Sequence, residues 1–115
     1  MLNFVICDDN SNILQKLSVT LENIFTKYNY DGVVSYQTSD VDNLLQYIDK
    51  NKIDVLFLDI NLKSKTTGLE VAEIVREKNK NIYLIFMTGH LEYARLAYKC
   101  KTFDYIAKPF TAGRL

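Results

Sequence analysis

Apolar residues along this chain follow two alternating rhythms. Runs dense in aliphatic, β-branched and aromatic residues read as strands: LNFVIC (2–7), GVVSYQTS (32–39), IDVLFLDI (53–60), IYLIFM (82–87) and FDYIA (103–107). Between them, apolar residues recur every three or four positions, the period of a helix with one buried face. Asn10 or Ser11 starts the first helix, whose inner stripe is Ile13, Leu14, Leu17, Leu21, Ile24, Phe25 and Tyr28, and the segment 29–32 turns the chain. Ser39 or Asp40 starts the second, with Val41, Leu44, Leu45 and Ile48 facing inward. A polar loop, NLKSKTT, leads through Gly68 to a third helix carrying Val71, Ala72, Ile74 and Val75, and a fourth runs from about Leu91 to Lys101.

Strands alternating with helices predict βαβ units, hence a parallel sheet covered by helices on both faces. The unbroken apolar runs in the third and fourth strands fit strands buried on both sides. In such a sheet, ligands bind beyond the carboxyl ends of the strands, where the strand order reverses. At 115 residues, 48% hydrophobic and 24% charged, the chain is read as one domain with one core. Its 14 basic and 14 acidic residues cancel, so it carries no basic surface for gripping nucleic acid or an anionic membrane. No apolar run approaches the ~20 residues of a membrane span. The opening MLNFVICDDN lacks the basic start of a signal peptide, and a cytoplasmic location is expected. Cys7 and Cys100 are too scattered for a disulfide framework or a zinc site and are read as core thiols. His90 has no second histidine or thiol nearby in sequence and is read as a surface or loop residue.

The carboxyl ends of the strands carry the chemistry. The first delivers Asp8 and Asp9, the third Asp59 and then Asn61, the fourth Thr88 and Gly89, the fifth Lys108 and Pro109. Three carboxylates, a hydroxyl and an ammonium thus converge on one edge. Three close carboxylates repel one another unless a cation shares the site, and a hard ion such as Mg²⁺ takes oxygen ligands of this kind. A carboxylate held beside a metal can attack phosphorus and form an acyl phosphate, with Lys108 offsetting charge on the phosphoryl oxygens. Each residue alone has a plainer explanation: favourable charge at a helix start for Asp8 and Asp9, a turn acid for Asp59, a solvated strand-end lysine for Lys108. Their joint occurrence at four strand ends favours the functional reading.

Asp8-Asp9, LDIN, MTGH and DYIAKPF, in this order and each at the end of its strand, closely resemble the receiver domain of bacterial two-component response regulators. TGHLEYARLAY followed by DYIAKPF resembles the LytTR-type regulators in particular. The resemblance implies a flavodoxin-like, CheY-like α/β fold with strand order 2-1-3-4-5. It implies Asp59 as phosphoacceptor, Asp9 as a direct ligand of Mg²⁺ or Mn²⁺, Asp8 as a ligand directly or through water, and Asn61 as a backbone-carbonyl ligand. It further implies Thr88 as a switch hydroxyl, Lys108 as the phosphoryl-contacting cation, Tyr105 as an aromatic that follows Thr88, and a cis bond between Lys108 and Pro109. The implied partners are a sensor histidine kinase and a C-terminal output domain that binds DNA, with no nucleic-acid or membrane binding by this segment itself.

Two departures stand out. The loop 61–67 lacks the proline common there in receivers, and the chain stops at TAGRL, where the family's fifth helix begins. The expectation is therefore a truncated final helix, the N-terminal part of a longer regulator, and an apolar face hidden by homodimerisation or segment exchange. Two other classes compete. A receiver-like interaction module that does not use phosphorylation would be expected to have lost some of Asp9, Asp59, Thr88 and Lys108. A haloacid-dehalogenase-like phosphatase would carry an acid two residues after its nucleophile, where this chain has Asn61, a poor general acid.

Overall fold

The computed structural model describes residues 1–59, 68–88 and 104–107. Its elements run β1 (Leu2–Cys7), α1 (Ser11–Lys27), β2 (Gly32–Thr38), α2 (Val41–Lys50), β3 (Val55–Asp59), α3 (Gly68–Lys78), β4 (Tyr83–Thr88) and β5 (Asp104–Ala107). The strands form one parallel sheet in the order β2-β1-β3-β4-β5. This is the flavodoxin-like order. The chain crosses from β1 to β2 on one side, then passes back over β1 to β3, which puts the order reversal between β1 and β3.

Alternation along the strands builds two cores. Val5, Cys7, Leu56, Leu58, Leu84 and Phe86 face α2 and α3, where they meet Leu44, Ile48, Val71 and Val75. Ile6, Phe57 and Met87 face the other way and pack with Leu14, Leu17, Leu21 and Phe25 of α1. Each strand therefore feeds both faces with successive residues, as the period of two requires. The expected fourth helix, Cys100 and the residues after Ala107 lie outside the described residues.

Local details refine the expected boundaries. Asn10 is the α1 cap, its Oδ1 accepting the N–H groups of Asn12 and Ile13 at 2.9 and 3.3 Å. Asp40 caps α2 by accepting the Asn43 N–H at 2.9 Å. Tyr28 leaves the stripe assigned to it: α1 ends at Lys27, Asn29 adopts φ 55, and the Tyr28 ring is 58% exposed beside Tyr30. β2 contains a bulge, because Phe4 pairs with Val34 while Val5 pairs with Tyr36. The extra residue, Ser35, breaks the alternation, so Val34 packs toward α1 while Tyr36 packs toward α2, its ring stacked on Tyr47 at 4.3 Å. Gly32, at the start of this edge strand, sits where a Cβ would come within 3.2 Å of both Phe25 and Phe4.

Candidate functional site

The acids assigned to the strand ends come together. Asp8 follows the last residue of β1 and Asp59 is the last residue of β3; these strands are neighbours, with Cys7 paired to Leu58. One carboxylate oxygen from each of Asp8, Asp9 and Asp59 lies within 4.8 Å of the others. Asp8 is 0% exposed and Asp59 3%, while Asp9 is partly exposed at the rim. An acid is driven to the end of a buried strand because the sheet's edge there is a shared polar site rather than core.

Backbone contacts hold the turn that carries Asp8 and Asp9. The Asp8 N–H donates to the Thr38 carbonyl at 3.2 Å, which ties the turn to the end of β2. An Asp8 carboxylate oxygen accepts the Asn10 N–H at 2.9 Å, while Asn10 caps α1. The Cys7 thiol, on the residue before Asp8, is fully buried. Burial first, and then the carboxylates of Asp8, Asp59, Asp40 and Asp9, push it from its ordinary 9.0 up to about 12. Cys7 is thus a neutral core thiol, as its place in an apolar strand suggested, and its environment registers the negative charge gathered near it.

Three carboxylates presenting one oxygen each over so short a span make a donor set suited to a hard divalent cation, which favours oxygen ligands and offsets their repulsion. The other residues singled out from the sequence divide in two. Thr88 ends β4 and pairs with Ala107, and Tyr105 stands in β5 opposite Phe86. Asp59 pairs with Met87, the residue before Thr88. Asn61, Lys108 and Pro109 lie outside the described residues. Sequence reading missed Thr38 and the part Asn10 plays toward Asp8, because a threonine at a strand end and a capping asparagine carry no signal of what their backbones hold.

A parallel sheet in this order, with an acidic cluster at its order reversal, defines a class, and comparison fixes the family. The chain matches the response regulator receiver domain over residues 4–115, and it belongs to that family. It is 32% identical over 115 residues to the sensory transduction protein LytT of Bacillus anthracis, covering 100% of this chain and 44% of that protein. It is 30% identical over 79 residues to the sensory transduction protein LytR of Staphylococcus epidermidis, covering 69% of this chain and 31% of that one. Within the receivers it thus falls with the LytT- and LytR-type regulators, and it spans less than half the length of these relatives. The crystal structure of the response regulatory domain of MrkE from Klebsiella pneumoniae superposes with a TM-score of 0.84 at 26% identity, covering 98% of this chain and 88% of that one. Among the described residues no helix is long and apolar enough to cross a membrane.

Proposed function

We propose that Asp59 accepts a phosphoryl group and that this reaction is the switch of a transcriptional regulator. The observation that carries the reading is the meeting of Asp8, Asp9 and Asp59 within 4.8 Å, with Asp59 at the end of a central strand. An Asp59 carboxylate oxygen attacks phosphorus of a phosphohistidine on a sensor kinase, or of a small acyl phosphate. A new P–O bond forms, the bond to the donor breaks, and the histidine or carboxylate leaves. Asp8, Asp9 and Asp59, with the Asn61 carbonyl, would hold Mg²⁺ or Mn²⁺, and that cation when bound supplies positive charge against the phosphoryl oxygens.

The chain's own residues do the rest. Buried Asp8 and Asp59 are fixed by their strands, so the acceptor oxygen is oriented before the donor arrives. The pairing of Asp59 with Met87 supports Thr88 as the hydroxyl that meets the phosphoryl group, since it ends the adjacent strand. The pairing of Thr88 with Ala107 supports Lys108, the next residue, as the contacting ammonium, preceding Pro109 in a cis bond. Tyr105 then follows Thr88, and the surface formed by the fourth helix and β5 takes a second arrangement. The chemistry is acceptance and slow loss of one phosphoryl group rather than turnover of a free substrate. The chain acts in the cytoplasm, with a sensor histidine kinase as the donor, and an output domain in the remainder of a longer regulator takes up the signal.

Intact mass spectrometry after incubation with acetyl phosphate, with and without Mg²⁺, tests this. A metal-dependent, hydroxylamine-labile gain of one phosphoryl group, absent from Asp59→Asn, is expected. Undiminished labelling of Asp59→Asn moves the acceptor elsewhere.

A further inference from the structure

We infer that Thr38 is a positioning residue for the cation site, acting on it through the backbone of Asp8; the inference rests on the acidic cluster being that site. Thr38 is one of three buried polar or charged residues among those described, with Asp8 and Asp59, and is 8% exposed. It ends β2, opposite Cys7, one strand away from Asp8 and Asp9 and two from Asp59. Its two oxygens face two different tasks. The carbonyl accepts the Asp8 N–H at 3.2 Å, and the hydroxyl accepts the Asp40 N–H at 3.0 Å.

The second bond sets the first. Thr38, Ser39 and Asp40 form the turn between β2 and α2, and the hydroxyl closes it by holding the Asp40 N–H two residues on. Asp40 is in turn fixed at the start of α2 by its bond to Asn43. The Thr38 carbonyl therefore points at Asp8 from a peptide pinned to a helix on one side and to the sheet on the other. Without the hydroxyl, the Asp40 N–H loses its acceptor, the turn is held only by the bonds of Asp40 to Asn43 and Leu44, and the carbonyl that anchors Asp8 is less firmly aligned. A metal ligand displaced by a fraction of an ångström binds less well, and groups that orient ligands are commonly worth about 10-fold or more in metal affinity.

Valine matches threonine in shape and suits a strand, so Thr38→Val removes the hydroxyl while keeping the packing. Serine keeps the hydroxyl. Magnesium affinity is measured by isothermal titration calorimetry on the wild-type chain, Thr38→Val and Thr38→Ser, with thermal melts in EDTA beside each. The expected result is a magnesium Kd raised roughly 10-fold in Thr38→Val and restored toward wild type in Thr38→Ser. Phosphoryl incorporation in Thr38→Val should recover when Mg²⁺ is raised to saturation, because Asp59 itself is untouched. A purely structural role predicts a lower melting temperature with an unchanged Kd, and that result overturns the inference alone. Absence of magnesium binding in the folded wild type overturns the cation reading and this inference with it.

Discussion

Asp59→Asn should stabilise the metal-free chain, although it removes the proposed acceptor. Asn keeps the shape of the side chain and deletes one charge from a group of three whose oxygens lie within 4.8 Å. At that separation a pair of unit charges repels by about 1 kcal/mol in a water-like dielectric and about 3.5 kcal/mol at an effective dielectric of 20. Asp59 faces two such neighbours, so its repulsion spans roughly 2 to 7 kcal/mol. The hydrogen bond from Asn10 to Asp8, the partial exposure of Asp9 and the Lys108 ammonium proposed at the same edge pull the net effect to the lower end, about 2 kcal/mol, or roughly 8 °C in melting temperature for a chain this size. Circular dichroism melts in EDTA measure it directly. Adding Mg²⁺ should then narrow or reverse the gap, since the wild type gains a three-carboxylate site and the variant keeps only two of its acids. A variant that melts lower than wild type in EDTA, with no Mg²⁺ response in either protein, refutes the view that this cluster is a strained cation site.

The remaining predictions concern the frame beneath the site. Cys7 is held neutral with its thiol pushed up to about 12, whereas the unfolded thiol ionises at its ordinary 9.0. The contribution is therefore fully present below pH 9 and is lost as pH rises from 9 toward 12, at up to about 1.4 kcal/mol per unit. Melts of wild type and Cys7→Ala in EDTA at neutral and alkaline pH should show the wild type losing more stability; parallel losses would contradict it. Leu44, fully buried between α2 and the sheet, should cost about 2–5 kcal/mol on truncation to Ala. By contrast Lys78→Met, which breaks the 2.8 Å surface bridge to Asp49, should cost no more than about 1 kcal/mol; urea unfolding separates the two.

Much of this molecule was legible because the relevant signals are periodic. Runs such as VLFLD and IYLIFM announce central strands, and the acids that follow them announce the polar edge where those strands stop. Asp8, Asp9 and Asp59 thus belong to one edge on the pattern of the sequence alone. What escaped depends on where the backbone goes after the pattern ends. Tyr28 sits three residues beyond Phe25 and fits the stripe, yet the helix closes at Lys27 and the ring turns outward. Val34 and Tyr36 alternate with Ser35 in sequence and so should share a face, but the bulge sends them to opposite cores. Thr38 and Asn10 look like ordinary strand-end and capping residues, and only the hydrogen bonds they make connect them to Asp8.

The same alternation that builds the two cores also sets the site. In β3, Leu56 and Leu58 face α2 and α3 while Phe57 faces α1, so Asp59, one step on, continues on the α1 side at the strand's end. In β1, Cys7 takes the α2 side opposite Leu58, and Asp8 follows it as Asp59 follows Leu58. The two acids meet because adjacent parallel strands stop in register, although their mutual repulsion opposes it. A slip of one residue in β3 would turn Leu56 and Leu58 out of one core and carry Asp59 away from Asp8 at the same stroke. The burial of Leu56, Leu58, Leu84 and Phe86 therefore holds the carboxylates against their repulsion. Deeply buried strands thus keep in place the acids of a site proposed to take a cation and a phosphoryl group.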